Sequence, residues 1–118
     1  MDPNTNPTDP MDRALALLGL ARRAGAVVGG TEAVRGLCRS GKACLVLLAD
    51  DCSENSAKRV RDCCAFYGVP LERVDVSMQR LGKAIGMREA SAAAVGNAGL
   101  AGQILNCIGR QEETDNRA

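Results

Sequence analysis

Residues 29–51 read GGTEAVRGLCRSGKACLVLLADD, and how this stretch divides decides the fold. The run CLVLLA, Cys44 to Ala49, is apolar without polar alternation, so it reads as a central strand covered on both faces. Before it, Gly29-Gly30 make a turn and Thr31 or Gly30 caps a helix running to about Arg39. Gly41 then ends that helix in the left-handed conformation that glycine adopts freely. Asp50 and Asp51 lie at the carboxyl end of the strand.

The same stretch holds Gly36 to Lys42 in the G-x-x-x-x-G-K spacing of a phosphate-binding loop. Such a loop continues with Ser or Thr, whose hydroxyl holds magnesium, and it follows a strand and opens a helix. Here Ala43 follows, and the glycine–lysine pair leaves a helix and enters a strand. The nucleotide reading fails on both counts.

Working outward, Asp9 and Pro10 open a first helix, with a capping carboxylate and a proline in the first turn. Leu15, Leu18 and Ala21 repeat at helical spacing up to Gly25, and Ala26 to Val28 is a short strand. Ser53 caps the helix ENSAKRVRDCCAFY, which stops at Gly68. Leu71 to Val76 is a further strand and Ser77 caps the short helix MQRLGKA. Ala92 to Val95 is a strand of small residues, and Asn97 caps a last helix ending near Ile108. Strands alternating with helices argue for an α/β domain with helices on both sheet faces. The expected organisation is a disordered arm over residues 1–9, one domain over 10–108 and a polar tail over 109–118.

A chain of 118 residues can bury a core without metal or disulfide support. Its six cysteines come with no signal-peptide pattern and no membrane-length apolar run, so they are expected as reduced thiols in a cytoplasmic protein. There is no histidine and no C-x-x-C pair, which leaves neither the usual zinc ligands nor the usual general base near neutral pH. An enzymatic reading would rest on Asp50-Asp51 alone. Neither catalysis nor a cofactor nor a metal is expected.

The net charge of +1 hides an uneven distribution, with 14 Lys and Arg against 8 Asp and Glu between Arg13 and Arg110. A basic domain with acidic ends suits a polyanion. Phe66 and Tyr67 are the only aromatics, so a base-stacking platform for single strands is missing. Arg22, Arg23, Arg39 and Lys42 read as solvated charges.

Taken together and in order, GGTEAVRGLCRSGKACLVLLADD, then YGVP (67–70), then VSMQRLGKAIG (76–86) resembles the kink-turn RNA-binding ribosomal-protein family. The likeness extends from about Asp12 to Ile108 and is strongest to the small bacterial ribosomal-protein-like members. It implies a three-layer α/β/α sandwich around a four-stranded mixed sheet. It also implies an RNA-contacting surface built from the N-terminus of the second helix and the loop before the last strand. The family signature G-x-N-E-x-x-K falls on Gly29-Gly30-Thr31-Glu32-Ala33-Val34-Arg35. Thr31 stands for the asparagine, Glu32 for the glutamate and Arg35 for the lysine. The second contact, after L-G-x-A-x-G, falls on Met87, Arg88, Glu89 and Ala90.

Physical chemistry gives these positions a means of recognition. A helix N-terminus exposes unpaired N–H groups and partial positive charge. Glu32 and Arg35 share a helical face; the carboxylate can accept from a base amino group, and the guanidinium can reach a phosphate or a purine acceptor. Such a pair can read exposed edges of non-Watson–Crick pairs in bent RNA, where the deep groove of A-form duplex is not in the way. The expected partner is structured RNA of the kink-turn kind, ribosomal RNA included, with no DNA or membrane and with the protein a monomer. The alternative is a protein-interaction module on the same scaffold.

Overall fold

The computed structural model describes residues 9–117, so the expected arm over residues 1–9 lies almost wholly outside the described residues. The elements are α1 (Pro10–Arg23), β1 (Val27–Gly29), α2 (Thr31–Arg39), β2 (Leu45–Ala49), α3 (Glu54–Tyr67), β3 (Leu71–Val74), α4 (Met78–Ala84), β4 (Ala92–Val95) and α5 (Ala98–Arg117). The strands form one mixed sheet in the order β1-β4-β2-β3. β4 runs antiparallel to both β1 and β2, and β2 pairs parallel with β3. Helices α1, α4 and α5 pack together on one side, and α2 packs with α3 on the other. This is the three-layer α/β/α sandwich expected.

Apolar pattern explains the layers. Every residue of β2 and β4 is buried, as two central strands between helical layers require. Burying a side chain such as Leu47 or Leu48 contributes roughly 1.5–3 kcal/mol. The alanines of β4 let the helices approach closely. On α1, Met11, Ala14, Leu18 and Ala21 face inward at helical spacing. Caps fix the helix starts: Asp9 accepts from the Met11 N–H, Ser53 from Ser56, Ser77 from Arg80, and Asn97 from Leu100. Gly68 closes α3 in the left-handed conformation at φ 68°.

Three boundaries differ from the sequence reading, and a fourth is decided between its alternatives. β1 ends on Gly29, which pairs with Ala93, so Gly29 belongs to the strand and the turn lies at Gly30 alone. β3 stops at Val74 because its partner β2 stops at Ala49, the residue it faces. Of the two residues read as possible caps of α2, Thr31 and Gly30, it is Gly30 that holds the position, and it offers no side chain. The backbone of α5 stays helical to Arg117 instead of ending near Ile108, as no proline follows Gly109 and Gln111, Glu112 and Glu113 are good helix formers.

Candidate functional site

The two segments singled out by sequence meet at Gly29. A Cβ at this position would overlap Ile85 Cδ1 and Met87 Sδ, so the glycine is what lets the loop after α4 lie against the end of β1. Gly30 follows at φ 97°, ψ 152°, a conformation closed to side-chain-bearing residues, and its N–H donates to the Ala92 carbonyl at 2.9 Å. The chain is thereby turned directly from the sheet into α2.

The loop is anchored from the other side by α4. The Met87 N–H donates to the Gly82 carbonyl at 2.8 Å, and the Ala90 N–H to the Met78 carbonyl at 2.9 Å. Gly82 lies so close to the backbone of Glu89 that a Cβ would strike it. Gly86 turns the chain at φ 77°. Met87, 41% exposed, therefore both rests on Gly29 and faces outward. Arg88 and Glu89 are exposed beside it. Ala90 was expected among the contact residues, but it is turned into the core at 2% exposure and supports the loop from beneath.

At the start of α2, no side chain caps the helix. Thr31 instead makes a hydroxyl–hydroxyl hydrogen bond with Ser91 at 2.9 Å, tying the motif to the entry of β4. The first turn of α2 thus keeps the N-terminal N–H groups and dipole that favour acceptors. Glu32, on the outer surface, is held by two arginines. Arg35 Nη1 donates to its two oxygens at 3.2 and 3.1 Å. Arg59 Nη2, from α3, lies 2.8 Å from Oε2. Arg35 is half-buried, and its Nε is enclosed with no hydrogen-bond partner among the described residues.

The structure sets the segment Gly29, Gly30, Thr31, Glu32 and Arg35 beside the loop of Met87, Arg88 and Glu89 through the Gly29–Met87 approach, and it adds three neighbours that the sequence does not single out for this site. Arg59 sits 27 positions beyond Glu32, so only the packing of α3 on α2 reveals it. Ser91 has no local signal either. Arg22, read as a solvated charge, is exposed, yet its guanidinium lies directly over Gly86 in the second loop.

The carboxylates that suggested catalysis have structural duties. Asp51 accepts from the Met78 N–H at 2.7 Å, and Asp50 pairs with Arg73 at 3.4 Å. Beneath the site, the Cys63 thiol donates to the Arg35 carbonyl at 3.9 Å. Cys38 and Cys64 are buried nearby between α2 and α3, where burial pushes the Cys64 thiol up to about 12 and raises Cys38 as well. Among the described residues no group of three His, Cys, Asp or Glu could hold a metal ion. Nor is any described helix long and apolar enough to cross a membrane.

Comparison with known proteins sets this geometry in context. The family model described as ribosomal protein L7Ae/L30e/S12e/Gadd45 matches residues 12–104. The RNA-binding protein YlxQ of Bacillus subtilis (strain 168) is 41% identical over 92 residues, which are 78% of this chain and 91% of that protein. A solved structure of a protein with unknown function from Bacillus halodurans C is 34% identical, with a TM-score of 0.75 over 81% of this chain and 96% of its own. The Giardia lamblia 15.5kD RNA binding protein, at 22% identity, has a TM-score of 0.70 over 96% of this chain and 98% of its own. At that identity the likeness is one of fold.

Proposed function

This chain belongs to the ribosomal protein L7Ae/L30e/S12e/Gadd45 family, and we propose that it binds structured RNA of the kink-turn kind through the start of α2 and the Met87–Glu89 loop. The observation that carries this reading is the contact at Gly29. It joins the uncapped helix start and the second loop into one surface, with Glu32 held outward and Met87 exposed beside it. The name of the Bacillus subtilis relative, RNA-binding protein YlxQ, supports the same partner class.

Each part has a role in this reading. The α2 N–H groups face phosphate or base acceptors. Glu32 accepts from base amino groups, and Arg35 carries positive charge to the backbone. Met87 offers an apolar surface to an unstacked base. Because the Thr31 hydroxyl is engaged by Ser91, the base contact that an asparagine amide would supply is absent, and discrimination falls chiefly on Glu32. The protein acts as a cytoplasmic binder of structured RNA, ribosomal RNA included, without catalysis or cofactor.

The test is the double substitution Glu32→Ala with Arg35→Ala. Binding to a kink-turn RNA is expected to be abolished while thermal melting stays nearly unchanged, because Glu32 is exposed, Arg35 is only half-buried, and an ion pair so open to water contributes about 0–1 kcal/mol. Wild-type affinity in the double variant would overturn the site.

A further inference from the structure

We infer that Arg59 is a positioning residue for RNA recognition, holding the Glu32 carboxylate in the orientation that reads a base edge; the inference rests on the RNA reading above. Arg59 belongs to neither motif. It stands on the first half of α3 and reaches across to α2, where its Nη2 lies 2.8 Å from Glu32 Oε2, a closer approach than either contact from Arg35. Two helices thus hold one carboxylate from two directions.

Stability does not account for this arrangement. Side-chain exposure is 67% at Glu32 and 48% at Arg59, and an ion pair so open to water contributes little to folding. Its effect falls on Glu32 itself. A glutamate in the first turn of a helix with only its i+3 arginine to hold it can leave the reading position by rotating about its side-chain bonds. A second anchor from another helix restricts that rotation before RNA arrives. A carboxylate has about four acceptor sites, so the arginine contacts leave capacity for a base amino group.

The experiment compares wild type, Arg59→Ala, Arg59→Lys, Glu32→Gln and the Arg59→Ala/Glu32→Gln double variant. Affinity is measured for a kink-turn RNA and for the same RNA with its tandem sheared G·A pairs replaced by Watson–Crick pairs, across a series of salt concentrations. Arg59→Ala is expected to weaken kink-turn binding by about 3- to 10-fold, the range for ordering one flexible side chain on binding. Binding to the control RNA should change less. The loss should nearly vanish in the Glu32→Gln background, Arg59→Lys should recover part of it, and the salt slope and melting temperature should stay at wild-type values.

An equal loss in the Glu32→Gln background, with the slope of log K against log salt smaller by about 0.7–0.9, would make Arg59 a direct phosphate contact and overturn the inference. No loss on Arg59→Ala would reduce the pair to surface decoration. Wild type binding both RNAs alike would overturn the underlying RNA reading and the inference with it, a failure visible before any variant is made.

Discussion

Gly29 and Gly82 both lack room for a side chain, but what they touch differs. At Gly82 an added Cβ would strike the backbone of Glu89, which cannot move without shifting the loop; at Gly29 it would meet side-chain tips, those of the buried Ile85 and of Met87, which is exposed and can swing aside. Gly82→Ala is therefore expected to destabilise the fold by about 1–3 kcal/mol, measured by urea denaturation. Gly29→Ala should lose less than Gly82→Ala in the same assay, because side-chain tips relax at smaller cost than backbone. Its effect should appear instead as weaker RNA binding, since Met87 is displaced. Equal destabilisation by the two substitutions would contradict this division. At this scale the sequence disclosed what lies within one turn of helix or one tight loop. Glu32 and Arg35 were legible as a pair three residues apart; Arg59 was not, because the contact that matters is made between elements. The burial of Ala90 is not legible in the sequence for a related reason. Adjacency to Glu89 in sequence says nothing of the turn of chain that sends Ala90 inward.

Among the elements, β2 is the most legible, since an apolar run of this length with turn residues on both sides suits a strand buried on both faces. Leu47→Ala in this strand is expected to cost about 2–5 kcal/mol, as for other fully buried leucines, read as a lower midpoint in chemical denaturation. The ends of β1, β3 and α5 were less legible, because pairing partners and the absence of a breaker set them. The packing of α2 on α3 also governs the thiols. Burial raises Cys38, Cys52 and Cys64, with Cys64 pushed from the ordinary 9.0 to about 12. A thiol whose folded value is raised favours folding at lower pH, and that contribution is lost once the unfolded chain ionises. Stability is thus expected to fall as pH rises from about 9 towards 12, in urea titrations under reducing conditions. Maleimide should modify the half-buried Cys44, Cys63 and Cys107 in native protein, while Cys38, Cys52 and Cys64 should react on unfolding. Rapid native labelling of Cys64 would contradict the packing.

For the whole molecule, alternation of helices and strands points to the α/β class and the family resemblance implies a four-stranded mixed sheet, but the order β1-β4-β2-β3 is contained in neither and comes from the structure. That order sets β4 beside β1 and so brings the loop before β4 onto the start of α2, which is how one surface arises from segments more than 50 residues apart. The basic excess between Arg13 and Arg110 is proposed to supply general attraction to RNA, and the joined surface to supply selectivity. These two contributions separate by salt, because non-specific phosphate attraction falls steeply as salt rises. The most direct measurement is binding of the intact protein to a kink-turn RNA and to its counterpart with Watson–Crick pairs in place of the tandem sheared G·A pairs, at two salt concentrations. The expected result is tight binding to the first RNA alone, with selectivity kept at the higher salt. Equal, steeply salt-sensitive binding to both would contradict it, and binding to neither would turn attention to a protein partner.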